Sequence, residues 1–486
     1  MTGCSGRPRS NETHMSNAPL SADLLARLSD IVGPEHALTD PARQLPYLRE
    51  WRDKYEGRAS IVLRPGTTRE VSQIIALAHA AGIPVVPQAG NTGLVGGQIP
   101  TRGEILLSIG RLKCVRAVDA AGYTMTVEAG LTLAEAQAAA DEANRLFPLS
   151  LPSEGSCQIG GNISINAGGT SVLAYGNARQ LVLGLEVVLA DGRIWDGLKG
   201  LKKDNSGYDL KDLFIGSEGT LGVITAAVLK LFPKPAEKAT AFVALPDLPS
   251  ALPLFSLARE TAGHGLTAYE VMSGLVLDLV LKHIPSTRAP FAERHPWYVL
   301  METSGLKADG AAERMLAEML TAASESGIVL DAAIAGSLAQ AQDFWRLRES
   351  YSPAQKPEGG NVKNDISVAV ARIPEFIARA EAAVARLCPG ARPVPLAHFG
   401  DGSVHYNIAQ PTDMTKQAFL ARWDDLTRAV QDIVIDMGGS ISAEHGIGVM
   451  KRADLARVKS EVEMDLMRRI KAALDPRGIL NPGKVL

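Results

Sequence analysis

A chain of 486 residues, 46% hydrophobic and 21% charged, is long enough to bury two or three separate cores. A net charge of −3 gives no electrostatic footing for a nucleic-acid or anionic-membrane partner. Cys4, Cys114, Cys157 and Cys388 lie far apart with no CxxC pair, which argues against a disulfide framework or a cysteine metal site and fits a reducing, cytoplasmic setting.

No run has the length of a membrane span, and the first residues lack a signal-peptide core. Residues 1–16 read as an unstructured leader, with Met15 after His14 as a candidate start. From 21 to 32, Leu24, Leu25, Leu28 and Ile31 recur at helical spacing. A strand is expected over 59–64, then a helix from a cap at Thr68 to Ala81 with Val71, Ile74, Ile75 and Ala78 on one stripe. Strands at 83–87 and 105–109 flank the loop Pro87-Gln-Ala-Gly-Asn-Thr-Gly-Leu-Val-Gly-Gly97. Its glycines permit positive φ and close approach to the main chain, and successive amides in such a loop suit an anion.

A hairpin over 113–130 and a helix over 132–143 lead to a second glycine-rich tract, 151–176. Its small residues alternate with Ile159, Ile163, Ile165, Val172 and Leu173, a regularity unlike a linker. It reads as a chain pressed against a flat, extended ligand, with backbone donors facing it. A hairpin turns at Asp191-Gly192, and Gly216, Gly219 and Gly222 follow before Pro233-Lys234-Pro235, an expected domain boundary.

Four ordered signatures resemble the flavin-binding domain of the vanillyl-alcohol oxidase superfamily, also called FAD-linked oxidase type 4. They are Arg64-Pro-Gly-Thr67, Pro87-Gln-Ala-Gly-Asn-Thr-Gly93, Gly160-Gly-Asn-Ile163 and Gly216-Ser-Glu-Gly-Thr-Leu-Gly222. The resemblance implies an α+β fold: a two-subdomain, p-cresol-methylhydroxylase-type (PCMH-type) FAD-binding domain over 17–235, an α+β substrate domain over 236–390, and a C-terminal segment, 391–486, completing the site. It places the FAD pyrophosphate on Pro87, Gly90, Asn91, Thr92, Gly93, Leu94, Val95 and Gly96. The isoalloxazine and ribityl chain would lie on Pro152, Gly155, Ser156, Gly160, Gly161, Asn162, Ser164, Asn166, Gly168, Gly169 and Thr170. The adenosine end falls to Glu218, Gly219, Gly222, Val223 and Ile224, with Asn481 as a further contact. Some relatives tether the flavin through a histidine in these segments. Here Cys157 is the only nucleophile in the second tract, so FAD is expected to be non-covalent.

In the middle segment, strands are expected at 239–245, 297–302 and 366–370, and helices at 310–326 and 373–387. Beyond it stands His398-Phe-Gly-Asp-Gly-Ser-Val-His405. Asp401-Gly402 is a favoured two-residue turn, and counting outward pairs 400 with 403, 399 with 404 and 398 with 405. The two imidazoles then face each other with Cβ atoms about 5 Å apart, and Asn407 shares their face. Glu444 in the segment 441–448 offers a carboxylate. Two imidazoles and a carboxylate suit a divalent ion, while two half-buried strand histidines beside an unrelated acidic loop satisfy the same spacing.

The motifs His398-Phe-Gly-Asp-Gly-Ser-Val-His-Tyr-Asn407 and Glu444-His-Gly-Ile-Gly448 resemble the FAD- and metal-dependent D-2-hydroxyacid dehydrogenases, in the branch that holds the D-2-hydroxyglutarate and D-lactate enzymes. That resemblance implies zinc or manganese on His398, His405 and Glu444, with His445 as the base. It places Arg348, Ser352 and Lys363 where the branch has Arg, Thr and Lys, and completes the substrate set with Asn407 and His445. Ser403 replaces the usual Asn at what reads as a turn position. The implied reaction is oxidation of D-2-hydroxyglutarate to 2-oxoglutarate. D-lactate or D-malate is the rival substrate, and an oxygen-using flavin oxidase is the rival class. The acceptor would be other than NAD, such as electron-transfer flavoprotein or a quinone-linked carrier, and a homodimer is one option for assembly.

Overall fold

A computed structural model describes residues 20–486, so the leader expected over 1–16 lies outside it. The α+β class is what forms. Ala59–Leu63, Gly103–Ser108 and Val85–Gln88 pair in parallel, with Ala37–Leu38 antiparallel at the edge. Ile61, Val62, Leu63, Ile105, Leu106 and Leu107 are all buried, the continuous apolar run that parallel strands require. Helix Thr68–Ala81 buries its predicted stripe, but its cap is Thr67, whose hydroxyl accepts the Glu70 N–H. Beside this layer stands an antiparallel sheet in the order Val115–Asp119, Thr124–Glu128, Val223–Lys230, Val182–Val188, Ile194–Gly197.

The second half of the chain is built on one seven-stranded antiparallel sheet. Its order is Asp331–Ile334, Glu237–Leu245, Trp297–Gly305, Leu266–Ser273, Arg392–His398, Ser403–Ala409, Asn361–Ser367. Residue 390 is therefore not a boundary: two strands beyond it lie inside the sheet of the expected substrate domain. The strand expected at 366–370 runs earlier, over Asn361–Ser367, where Val362 and Ile366 are buried.

Helices Ala251–Ala262, Ala311–Glu325, Ile373–Leu387 and Trp423–Asp436 cover one face of this sheet. Gly274–His283 and Leu338–Glu349 cover the other through Val276, Leu277, Phe344 and Leu347. Alternate residues share a face of a strand. On this second face, apolar Phe242, Met272, Leu300 and Leu396 give way to Glu270, Lys363, Asp365, His398, His405 and Asn407 toward one corner. The chain end then returns to the first half, where Leu480 bridges Val85. Among the described residues no helix is long and apolar enough to cross a membrane.

Candidate active site

A cavity of about 1360 Å³ runs from the glycine-rich segments of the first half to that polar corner. It exceeds the usual space of a single small ligand, about 300–1,000 Å³. All the residues expected to hold FAD lie on its wall except Gly96 and Asn166. Gly96 has φ +73°, and Tyr55 packs where its Cβ would stand. Asn166 has φ +54° and its Oδ1 accepts the Arg179 amide. Asn91 lies on the wall, and its side-chain amide donates to the carbonyls of Pro46 and Arg49.

The second tract contains helix Ile159–Ser164 and the turn Val172–Tyr175, so much of its backbone pairs internally. Glycines allow close packing on both sides of it: a Cβ on Gly90 of the first loop would stand 2.0 Å from the Ser156 carbonyl, and one on Gly169 (φ +104°) 1.9 Å from that of Ser150. Cys157 is buried off the cavity wall, its sulfur accepting from Asn162. Gln88 Oε1, Gln158 Oε1 and Asn481 Oδ1 are buried wall acceptors without a partner, which suits a ligand bearing N–H donors. The wall fits FAD.

The histidine hairpin has a different register from the expected one. His398 pairs with Ser403 and Leu396 with His405, so the turn holds four residues, not two. Phe399–Asp401 forms a 3-10 turn, Gly402 takes φ +87°, and Asp401 accepts the Ser403 N–H. Ser403 is thus a strand residue with a buried, unpartnered hydroxyl rather than a turn residue. The shift is an even number of residues, so His398 and His405 stay on one face as diagonal neighbours, with ring centroids 5.3 Å apart. Glu444 Oε1 lies 3.8 Å from His398 Nε2, and its Oε2 3.9 Å from His405 Nε2.

The donor set fits a divalent ion: two imidazoles and a carboxylate converge, with a second carboxylate, Glu270, 2.8 Å from His398 Nδ1. A carboxylate behind a ligating imidazole fixes its tautomer. Burial pushes the His405 ring down to about 4 against the pull of Glu444, leaving it neutral as a ligand must be. On His398 burial acts the same way, but Glu270 and Glu444 outweigh it and hold the ring at about 9, so an ion would replace a proton there.

Three separate grips hold the loop that carries Glu444 and His445. The Gly169 amide donates to Glu444 Oε1 at 2.9 Å. The Glu218 carboxylate accepts the amides of Ile447 at 2.6 Å and Gly448 at 2.8 Å. The Glu218 side chain thus also braces this loop; burial raises its carboxyl while the two amides pull it down. The third grip is Asp365, a residue the sequence reading did not single out. Its Oδ2 accepts the His445 amide at 3.0 Å and stands 3.3 Å from His445 Nδ1. Burial works against its charge, but His445, Lys451 and His405 together hold the carboxyl well below its usual range. His445 itself is pushed by burial down to about 4 despite Asp365. It is a neutral imidazole on the cavity wall, oriented by a carboxylate.

Arg348 is not a free fork. Its Nε and Nη2 both lie 2.7 Å from Glu270 Oε2, and Nη2 sits 3.1 Å from His398 Nε2. Lys363 and Ser352 do come together, with Nζ donating to Oγ at 3.1 Å, and both line the cavity. Asn407 pairs across the strands with Lys363 and donates to Gln355.

The fold and the flavin wall define the class. Residues 59–197 match the profile of the FAD binding domain, and residues 234–485 that of FAD linked oxidases, C-terminal domain. The chain is an FAD-dependent oxidoreductase. The D-2-hydroxyglutarate dehydrogenase of Xanthomonas citri pv. viticola is 39% identical over 92% of this chain and 93% of its own. The mitochondrial D-2-hydroxyglutarate dehydrogenase of Arabidopsis thaliana is 37% identical over 94% of this chain and 80% of its own. The fold matches p-cresol methylhydroxylase with substrate bound at TM-score 0.74 and 17% identity, covering 95% and 96% of the two chains. The chain belongs to the FAD-linked oxidase family, among its D-2-hydroxyglutarate dehydrogenases.

Proposed function

We propose that this chain oxidises D-2-hydroxyglutarate to 2-oxoglutarate at the polar corner. The observation that carries the reading is one cavity with the flavin wall at one side and His398, His405, Glu444, His445, Ser352 and Lys363 at the other. FAD, when bound, accepts the hydride from Cα. An ion held by His398, His405 and Glu444 would lower the pKa of the α-hydroxyl. His445 takes the hydroxyl proton on its free ring nitrogen, because Asp365 fixes the orientation of the other. Lys363 and Ser352 receive the distal carboxylate. Arg348, its fork turned to Glu270, holds His398 and the charge balance beside it.

The test is anaerobic bleaching of the flavin with D- and L-2-hydroxyglutarate, D-lactate and D-malate, on chelated and zinc- or manganese-restored protein. The D-2-hydroxyglutarate enzyme should bleach, and only when restored. Equal rates with D-lactate would sink the dicarboxylate reading, and full activity after chelation would sink the ion. Reoxidation by air, with peroxide assayed, separates an oxidase from an enzyme that uses another acceptor.

A further inference from the structure

The mouth of the cavity carries cations that the reaction above does not use. Lys54 comes from the turn before the first parallel sheet, and Lys356 from the turn Lys356–Glu358 on the other half of the chain. Each ammonium sits over an indole: Lys54 Nζ is 4.5 Å from the ring centroid of Trp423, and Lys356 Nζ is 5.7 Å from that of Trp51. Among the described residues neither ammonium pairs with a carboxylate. Their neighbour Arg52 also lies over the Trp51 ring, 5.7 Å from its centroid, but is paired, its Nε being 2.8 Å from Glu50. All five residues line the same cavity as Lys363 and His445. After burial, the charges of Arg52, Lys54 and Lys356 are what push Lys363 down, so these groups lie within its electrostatic reach.

The whole chain carries a net charge of −3, so this is a local concentration of positive charge and not a bulk excess. Cations held beside low-dielectric walls repel one another, and an arriving anion relieves that repulsion. A mouth lined by one sign of charge raises the local concentration of the opposite one. We infer that Lys54 and Lys356, each seated on an indole, form an entrance that draws a dicarboxylate into the cavity ahead of Lys363. The inference rests on the dicarboxylate reading above and adds to it a second place where charge selects the substrate.

The experiment is stopped-flow reduction of the holoenzyme's flavin by D-2-hydroxyglutarate without oxygen or acceptor. Ionic strength is raised from about 0.01 M to about 0.15 M, which shortens the screening length from ~30 Å to ~8 Å. The second-order rate should fall about tenfold across that range, and less for D-lactate with its single charge. In the double variant Lys54→Met, Lys356→Met the low-salt rate should drop to near the high-salt value, with the loss in the concentration dependence more than in the limiting rate. Quenching of tryptophan fluorescence by 2-oxoglutarate should weaken in parallel. A salt-independent wild-type rate would overturn the entrance, as would a salt slope kept by the double variant. A second mixing of the reduced enzyme with acceptor reads reoxidation, and salt dependence confined to that step would give these lysines to an acidic electron acceptor and overturn the entrance too. No bleaching at all with D-2-hydroxyglutarate removes the substrate reading and the entrance with it, whereas bleaching that ignores salt removes the entrance alone.

Discussion

The flavin wall and the reacting corner are made by opposite means. The wall rests on backbone: glycines let one loop press on another, as Gly90 does on Ser156, and side chains such as Asn91 bond to neighbouring carbonyls and hold the loops in shape. The corner is side chains, drawn from four strands, two helices and an irregular loop. Strand residues there are fixed by their sheet, but Glu444 and His445 have no element of their own. Their position depends on Gly169 and Glu218 from the wall and Asp365 from the sheet. A flavin-binding domain thus also aims a loop that lies 229 residues further along the chain.

His445→Ala tests the division most severely. Turnover should fall by about 10²–10⁴-fold, the usual worth of a general base, while the flavin absorbance stays that of the bound form. Retained turnover would remove His445 as the base, and lost flavin would show that corner and wall are not separable. Asp365→Asn comes next. Asparagine keeps an oxygen for the His445 amide but loses the charge beside the ring, and kcat should drop about 10–100-fold with KM nearly unchanged. A change confined to KM would make Asp365 part of the substrate pocket instead. Glu218→Gln is smaller and sharper, because the resemblance had placed Glu218 on the cofactor. Glutamine keeps one acceptor and turns N–H groups toward an amide donor, which should displace the loop and cost kcat about tenfold. Flavin titration should show unchanged affinity; a weakened flavin with normal kcat would return Glu218 to the wall.

What could be read in the sequence follows the same line. The wall is local in the chain, and glycine has few reasons to recur except close approach, so its segments were legible while Gly96 and Asn166 were carried along by their neighbours. The helical conformation of the second tract was not, since small residues interleaved with isoleucines suit both a short helix and an extended run. The hairpin gave up its face but not its register. Asp401-Gly402 looks like a two-residue turn, but Phe399–Asp401 winds into a 3-10 turn and Gly402 packs on Val368, whose carbonyl would lie 2.3 Å from a Cβ there. Asp365 had a signal that was passed over. It stands two residues from Lys363, so on any strand it shares the face of the residue already singled out. Glu218 had none, because nothing near it in the chain announces the loop that buries it.

The smallest effect is the one that ties corner and entrance together. Burial first, then the charges of Arg52, Lys54 and Lys356, lower the Lys363 ammonium to about 8. The form that binds a carboxylate is the protonated one, present below that pH and lost as pH rises through it. For D-2-hydroxyglutarate, kcat/KM should therefore fall above about pH 8, since that ratio reports the free enzyme. D-lactate, which offers no second carboxylate, should show no such fall, and Lys363→Met should abolish it for the dicarboxylate. Lys54→Met supplies the sharper check. Removing one like charge leaves burial in place but relieves part of the repulsion, so the fall should move to higher pH. If it stays where it was, the Lys54 charge does not reach Lys363, which is then set by burial and the remaining cations.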